Sequence, residues 1–278
     1  MSSPVRRVRK LIAATAALGA VFVLNACGGG DEGGSAKGID LVSEGKLTVC
    51  THLPYKPFQF RDDSGEVVGF DVDMLDLVAK DLDVEMEVVD IDWNPIVSGA
   101  VFTSGKCDVG MGAMTITDER AGALLISDPY FDATQALLVP ADESYEGLED
   151  LEGKKVGVQT DTTGKLYAEE HAEEHGYEMV VFDDSITEFN AVKTGKVDAA
   201  INDNIPLNDF ADQNDDTKVT AEFDTGEQYG FPAKKDDDNA QKLIDKLNKA
   251  IADAKKNGEY DKIYKKWFDR APGANADG

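Results

Sequence analysis

The sequence predicts an α/β protein with two similar lobes, each a mostly parallel sheet flanked by helices. Short apolar runs alternate with segments of helical periodicity, which is typical of parallel sheets that are covered on both faces. Residues 104–108 (SGKCD) are also echoed by residues 194–198 (TGKVD), each at the predicted end of a helix and start of a strand. The 278 residues provide enough chain for two small cores.

The first half of the chain is predicted to contain a strand, two helices and a second strand, over residues 47–51, 69–82, 94–105 and 107–112. Asp71 and Asp73 lie at the start of the first helix, where acidic side chains suit the positive end of the helix dipole. Asn94 followed by Pro95 predicts an N-cap with proline at the first helical position, and Gly105 ends that helix.

The second half repeats this order with a strand over residues 155–159, a helix, and a strand that ends at Asp203. Ser185 and Glu188 match a capping box at the start of that helix. A polar stretch and a short apolar run follow the strand. Two amphipathic helices complete the fold, and Gly258 separates them as a helix-ending glycine.

Residues 1–26 are typical of a signal peptide, because a basic stretch precedes about a dozen apolar residues and then small residues. Residues 24–27 (LNAC) resemble the lipobox of bacterial lipoproteins, so we expect cleavage before Cys27 and acylation of its thiol. The glycine-rich sequence that follows predicts a flexible tether over residues 27–45. A plain secretory signal with an incidental cysteine is the alternative.

The charge of the exported chain excludes several partners. Removal of Arg6, Arg7, Arg9 and Lys10 with the leader changes the formal charge from −26 to −30. Such a chain repels nucleic acid and anionic lipid, so membrane attachment requires the lipid anchor or a protein partner. With 42% apolar residues the chain is expected to fold.

Two further cysteines, Cys50 and Cys107, remain in an exported and oxidising environment. Each lies in or beside a predicted buried parallel strand, and neighbouring strands would bring the two thiols within bridging distance. A disulfide and two separate buried thiols are both compatible with the sequence.

Ligands in open α/β sheets bind beyond the carboxyl ends of the strands, so the loops that follow the strands are the candidate site. These loops are rich in polar and aromatic side chains and cover residues 51–60, 113–120, 159–164 and 202–204.

Residues 69–74 (GFDVDM), with Val78, Ala79 and Leu82, resemble the signature of the family 3 bacterial extracellular solute-binding proteins. The similarity extends over residues 46–270, and further matches occur at residues 115–120, 127–130, 228–230 and 257–260. The glutamine-binding members resemble this chain most at residues 115–120.

The resemblance implies a two-lobed periplasmic-binding-protein fold of type II, with two hinge strands between the lobes. Residues 46–137 and 229–270 would form one lobe and residues 138–228 the other. Residues 271–278 are expected to be a flexible tail. Binding of an amino acid would close the cleft between the lobes, and the closed form would deliver it to an ABC transporter permease.

The resemblance also implies which residues hold the groups common to all amino acids. Arg120 would grip the α-carboxylate through its planar fork, and Thr163, with Thr162 beside it, would donate to the same carboxylate. Thr115 and the backbone of Ala113 would meet the ammonium group.

In the other lobe, Asp203 would complete the clamp on the ammonium group. Tyr55 and Trp93 would sandwich the ligand side chain between their rings.

Three polar positions are expected to set specificity, namely His52, Gln159 and Asn202. None carries a formal charge at neutral pH, so a neutral polar amino acid such as glutamine fits best. Asp161 replaces a glycine common in relatives. It could supply a counter-ion for a cationic side chain if it turned inward.

The resemblance leaves two rival functions, and no cofactor is expected in any of them. One rival is a ligand sensor for a membrane receptor, which would use the same site. In each of these functions the protein is expected to be a monomer. An exported cyclohexadienyl dehydratase shares the fold, but its chemistry needs a general acid, and the sequence offers no second convergent carboxylate beside Asp203. A metal site is not expected, since His171 and His175 lie in a run of glutamates that indicates a solvated face.

Overall fold

The computed structural model describes residues 35–273. The predicted signal peptide, the lipidation site Cys27 and residues 27–34 of the predicted tether lie outside the described residues. The remainder of that tether does not match the prediction, because residues 35–36 pair with residues 39–40 and the side chains of Ile39 and Leu41 are buried in the core. Across residues 35–273, no helix combines the length and the apolar character needed to cross a membrane.

The strands in the described part of the chain are β1 (Ser35–Ala36), β2 (Ile39–Asp40), β3 (Lys46–Thr51), β4 (Phe60–Arg61), β5 (Val67–Val68), β6 (Glu85–Asp90), β7 (Val109–Gly110), β8 (Leu124–Ile126), β9 (Phe131–Pro140), β10 (Lys155–Gln159), β11 (Glu178–Phe182), β12 (Ala199–Asp203), β13 (Thr217–Tyr229) and β14 (Pro232–Lys234). The α-helices are α1 (Phe70–Leu82), α2 (Trp93–Val97), α3 (Ala100–Thr103), α4 (Asp118–Ala123), α5 (Thr163–His175), α6 (Ser185–Lys193), α7 (Asn204–Asp212), α8 (Asp238–Asn257) and α9 (Glu259–Phe268), with a short 3₁₀ turn at Leu148–Asp150.

The first lobe is built on a parallel sheet with the order β6-β3-β7. Helices α1, α8 and α9 cover it, because the apolar stripes of these helices pack into one core with β3 and β7. Gly258, at φ 78°, joins α8 to α9 as predicted.

The second lobe is built on a sheet with the order β11-β10-β12-β9-β13. Strands β11, β10 and β12 are parallel, whereas β9 and β13 are antiparallel to their neighbours. Phe131 and Tyr229 belong to the core of the first lobe, while Leu137 and Leu138 belong to the cores of the second. Strands β9 and β13 therefore connect the two lobes, and the α/β fold predicted from the sequence is confirmed.

Strand β13 was not expected from the sequence, which indicated only a polar stretch and a short apolar run. Over residues 221–228 partly buried residues alternate with exposed ones, and two of the exposed side chains, Glu222 and Asp224, are charged. Because one face of the strand is in water, its sequence lacks the apolar run by which buried strands are recognised.

The predicted helix over residues 94–105 is divided in two. Asp92, rather than Asn94, is the N-cap of α2, and Gly99 at φ 76° separates α2 from α3. The strand that follows covers only Val109–Gly110, since the backbone turns to positive φ at Gly112 and Ala113.

The predicted capping box of α6 is also wrong. Asp184, one residue earlier than expected, is the N-cap and accepts from the backbone N–H of Thr187 at 2.7 Å. Ser185 is the first residue of the helix. The carboxyl group of Glu188 is buried and bonds to Asn202 instead of to the helix end.

Candidate ligand-binding site

The loops that follow β3, β7, β10 and β12 meet around one cavity between the lobes. Among the residues predicted from the sequence, those that line it are His52, Tyr55, Trp93, Ala113, Thr115, Arg120, Gln159, Thr162, Thr163 and Asp203. Four lining residues were not singled out from the sequence, namely Pro54, Gln59, Gly112 and Ser185. Gln59 and Ser185 are polar and buried, and the sequence marked Ser185 only as a predicted helix cap.

Arg120 is held from two directions. Its backbone N–H donates to the hydroxyl oxygen of Thr117, the N-cap of α4. Its guanidinium donates to the carbonyl oxygen of Thr115 at 2.9 Å and to that of Asp161 at 3.0 Å. Burial lowers the pKa of Arg120, while the negative charges of Asp203 and Glu227 oppose the shift. The guanidinium stays protonated, since its normal pKa lies far above neutrality.

Asp203 is the last residue of β12, and its carboxylate accepts hydrogen bonds from three side chains. It accepts from Tyr55 Oη at 2.9 Å, from Gln135 Nε2 at 2.7 Å and from the hydroxyl of Tyr229. Burial raises the pKa of Asp203 to about 6, and the nearby charge of Glu227 adds to the rise. These hydrogen bonds favour the ionised form and limit the shift.

Glu227, on β13, is a second acid of this site that sequence reasoning missed. Its Oε2 accepts from Thr115 Oγ1 and from Thr163 Oγ1, each at 2.9 Å, and its carboxylate also accepts from Gln135 Nε2 at 3.2 Å. Thr115 belongs to the first lobe and Thr163 to the second. Because both hydroxyls donate to Glu227, both present lone pairs rather than protons to the cavity. In this structure the Thr163 hydroxyl is therefore not the donor to the α-carboxylate that the family resemblance implied. The only sequence signal for Glu227 is its position two residues before Tyr229.

The signature motif reaches the site through Asp71. The buried carboxylate accepts from the backbone N–H of Ala113 at 2.9 Å, from that of Gly112 at 3.2 Å and from Tyr130 Oη at 2.7 Å. Ala113 has φ 47°, a conformation that an alanine rarely adopts without such support. Burial raises the pKa of Asp71 to about 6, and the hydrogen bonds oppose the rise.

The two predicted aromatic residues lie on the cavity in different ways. Trp93 donates through Nε1 to the carbonyl oxygen of Asp161 at 3.1 Å, and its ring faces the Arg120 guanidinium. Gly112 leaves room for that ring, because a Cβ there would lie 2.6 Å from Trp93 Cζ3. Tyr55 is fixed through its hydroxyl to Asp203 and Asn202.

The predicted specificity residues differ in their environment. His52 Nδ1 lies 2.8 Å from the carbonyl oxygen of Ile91, so it carries a proton, and Nε2 has no hydrogen-bond partner among the described residues. Gln159 has only a long contact of 3.5 Å to the carbonyl oxygen of Asp183. Both side chains are therefore available to a ligand.

Asn202 does not line the cavity formed by the described residues. Its Nδ2 donates to Glu188 at 2.8 Å, and its Oδ1 accepts from Tyr55 Oη and from the backbone N–H of Asp203, each at 2.9 Å. Burial raises the pKa of Glu188 well above its usual value. Asn202 thus orients Tyr55 and Asp203 without lining the cavity itself.

Thr162 is the N-cap of α5, since its hydroxyl accepts from the backbone N–H of Lys165 at 3.1 Å and donates to the carbonyl oxygen of Gln159 at 2.7 Å. Its side chain therefore shapes the loop that carries Thr163. The first N–H groups of an α-helix have no carbonyl partner within the helix, and in α5 the Thr162 hydroxyl meets only that of Lys165.

Cys50 and Cys107 form a disulfide in the structure, with their Cα atoms 5.7 Å apart. Both cysteines are buried in one apolar cluster, which includes Ile96 and Phe102. Within residues 35–273, no group of three or more histidine, cysteine or acidic side chains is arranged to hold a metal ion.

The two-lobed fold, with oppositely charged side chains around a cavity between the lobes, defines a solute-binding protein of the periplasmic type. Over residues 47–270 the chain matches the bacterial extracellular solute-binding proteins, family 3. The chain therefore belongs to this family, whose members act outside the cytoplasm as binding proteins rather than as enzymes.

Several relatives of known name support this assignment. A probable histidine-binding protein of Neisseria gonorrhoeae is 31% identical over 275 residues, which are 97% of this chain and 99% of the relative. A solved ancestral arginine-binding protein bound to arginine is 40% identical with a TM-score of 0.75, covering 81% of this chain and 99% of that one. An ancestral arginine-binding protein bound to glutamine is 39% identical with a TM-score of 0.74, covering 82% and 99%.

Proposed function

We propose that this protein captures a free amino acid by closing its two lobes over the ligand and delivers it to an ABC transporter permease. The observation that carries the proposal is that Arg120 on α4 and Asp203 at the end of β12, which have opposite charges, line one cavity from different lobes. An α-amino acid carries a carboxylate and an ammonium group on one carbon, and it matches that pair of charges. The names of the relatives, which bind histidine, arginine or glutamine, support the same ligand class.

Each backbone group of the ligand has a set of partners in the proposal. The Arg120 guanidinium and the N–H groups at the start of α5, at Thr163, bind the carboxylate. Asp203, the lone pairs of Thr115 Oγ1 and the carbonyl oxygen of Ala113 accept from the ammonium group. Residues 46–137 with 229–270 move as one lobe and residues 138–228 as the other.

The ligand side chain lies between Tyr55 and Trp93 and contacts His52 and Gln159. Neither side chain provides a carboxylate that could pair with a cationic ligand side chain, so glutamine is our candidate ligand. Asp161 does not serve as a counter-ion, because its carboxylate is bound to Asn94 rather than turned into the cavity.

The test is thermal unfolding of refolded, ligand-free protein with each proteinogenic amino acid at millimolar concentration. A ligand that binds only the folded state raises the midpoint. Glutamine is expected to give a shift, and a panel in which no amino acid gives one would reject the proposal.

Arg120→Ala tests the carboxylate assignment. We expect affinity to fall about a hundredfold or more, because a buried charge-assisted pair of hydrogen bonds is lost. Arg61→Ala is the control, since Arg61 is exposed and its partners, the Asp90 carboxylate and the carbonyl oxygen of Gly65, also lie on the surface. Equal affinity in both variants would reject the role of Arg120.

The acylated thiol of Cys27 anchors the protein in this proposal, and residues 27–34, which precede the first strand, hold the lobes away from the membrane. A Cys27→Ser chain is expected to lose incorporation of labelled palmitate and to leave the membrane fraction. Retention of the variant on membranes without a lipid label would reject the anchor.

A further inference from the structure

The two lobes touch at the rim of the cleft through the loop that follows β10. The carbonyl oxygen of Asp161 accepts from Trp93 Nε1 at 3.1 Å and from the Arg120 guanidinium at 3.0 Å. The Asp161 carboxylate accepts from Asn94 Nδ2 at 2.8 Å. Asp161 belongs to the second lobe, while the three donors belong to the first.

The side-chain contact, unlike the two backbone contacts, requires a particular type of residue at position 161. Any residue at position 161 provides a carbonyl oxygen, but only a short side chain with an acceptor can reach Asn94. Asp161 has φ 58°, in the left-handed region that aspartate and asparagine tolerate better than most residues. The sequence therefore places at this turn one of the few side chains that fit the backbone and also reach the other lobe.

Asn94 lies where its side chain can donate to the Asp161 carboxylate. It lies in the first turn of the short helix α2, next to Trp93, and is not used as the helix cap. Both Asn94 and Asp161 are exposed, and neither lines the ligand cavity. Their hydrogen bond is thus separate from the groups that hold the ligand.

We propose that Asn94 and Asp161 form an interlobe latch, which stabilises the closed arrangement and raises ligand affinity without touching the ligand. The proposal rests on the proposed function, in which closure accompanies binding. A contact that exists only when the lobes are closed increases the closed population, and apparent affinity rises in proportion to that population. The pair is a positioning device and not part of the binding set.

The test measures dissociation constants by calorimetry, with the amino acid that gives the largest thermal shift as the probe. Asp161→Gly removes the side chain and suits the positive φ. Asn94→Ala removes the donor. Each is expected to weaken binding about threefold to tenfold, as for loss of one charge-assisted hydrogen bond near the surface. The double variant is expected to bind as weakly as either single variant and no more weakly.

Exchange of the two side chains tests the contact itself. Asn94→Asp alone sets two carboxylates against each other and is expected to weaken binding more than Asn94→Ala. Adding Asp161→Asn to it restores a donor and an acceptor in reversed positions, and affinity is expected to return to within about twofold of the original. A merely structural role would give no such rescue.

Asn190→Ala is the matched control, because Asn190 Nδ2 donates to the carbonyl oxygen of Ile186 inside the second lobe at 2.8 Å. The affinity of the Asn190→Ala variant for the amino acid is expected to be unchanged. Additive losses in the double variant, or unchanged affinity in either single variant, would overturn the latch while leaving the binding function intact.

If no amino acid binds, the proposed function fails, and solution scattering then decides the latch separately. Asp161→Gly and Asn94→Ala are each expected to increase the radius of gyration of the protein, since the lobes separate more often. A radius equal to that of the unaltered protein in both variants would overturn the latch.

Discussion

The carboxylate of Asp71 accepts a hydrogen bond from the backbone N–H of Ala113 at 2.9 Å. This contact joins the signature motif on α1 to the loop that lines the ligand cavity. Because Ala113 has a positive φ, the loop depends on an acceptor that holds its N–H groups. A motif that looks like a helix start in the sequence therefore has a second role in shaping the site.

Asp71→Asn is expected to lower the free energy of unfolding by about 1–3 kcal/mol, because the amide keeps only one acceptor for the three donors. Amino acid affinity is expected to fall as well, since the carbonyl oxygen of Ala113 moves. Denaturant unfolding and calorimetry measure the two effects. Asp76→Asn, on the exposed face of the same helix, is the control and should change neither.

Gly69→Ala is expected to destabilise the protein strongly. Gly69 has φ 145°, and a Cβ there would lie 2.0 Å from the carbonyl oxygen of Phe58. Both the backbone conformation and the space exclude a side chain, so we expect a loss above about 3 kcal/mol. Gly65→Ala is the comparison, because Gly65 also has a positive φ but has nothing within 4 Å of the added Cβ. Equal losses in the two variants would contradict the steric explanation.

The disulfide between Cys50 and Cys107 is expected to protect both thiols. In a Cys27→Ser chain, a thiol reagent under denaturing, non-reducing conditions should label no cysteine, and detection of two free thiols would disprove the bond. The sequence separation of 57 residues corresponds to a stabilisation of about 4 kcal/mol in the loop-entropy description. Double substitution of the pair by alanine is therefore expected to lower the urea midpoint.

Stability is expected to fall as the pH rises from about 4 to about 6. Burial raises the pKa of Asp71 and of Asp203 from 3.8 to about 6 in the folded protein. In this range the folded state binds more protons than the unfolded state, so each rise in pH favours unfolding. Chemical unfolding at several pH values measures this slope.

Asp203→Asn is expected to make that slope shallower, because one of the two carboxyl groups no longer titrates. The same substitution should weaken ligand binding at every pH, because the ammonium group loses its anionic partner. It should also remove the further fall in affinity that protonation of Asp203 causes below about pH 6. An identical pH profile in this variant and in the unaltered protein would contradict the raised pKa of Asp203.

Much of the fold was predictable from the sequence because it depends on local patterns. The apolar run that becomes β3 and the stripe that becomes α1 were recognised from spacing alone, as was Gly258 at a helix end. Strand β13 was missed, because its exposed polar side chains conceal the pattern. The start of α6 was misassigned by one residue, since aspartate and serine, here Asp184 and Ser185, are both good N-caps.

For the candidate site, the sequence indicated residues that follow strands and match a motif. It could not show that Asn202 turns its amide to Glu188, or that Glu227 lies between Thr115 and Thr163. Those contacts join residues far apart in the chain. Spacing carries no information on such pairs.

The sequence by itself determined the class of fold, the order of its elements and the charged residues that can meet an amino acid. Apolar periodicity and motif residues act over a few positions, so they are visible in the chain. The tertiary structure decided which cysteines meet, which acid faces which hydroxyl, and that Asp161 contacts Asn94. These depend on how the two lobes pack, because burial and hydrogen bonding are properties of neighbours in space.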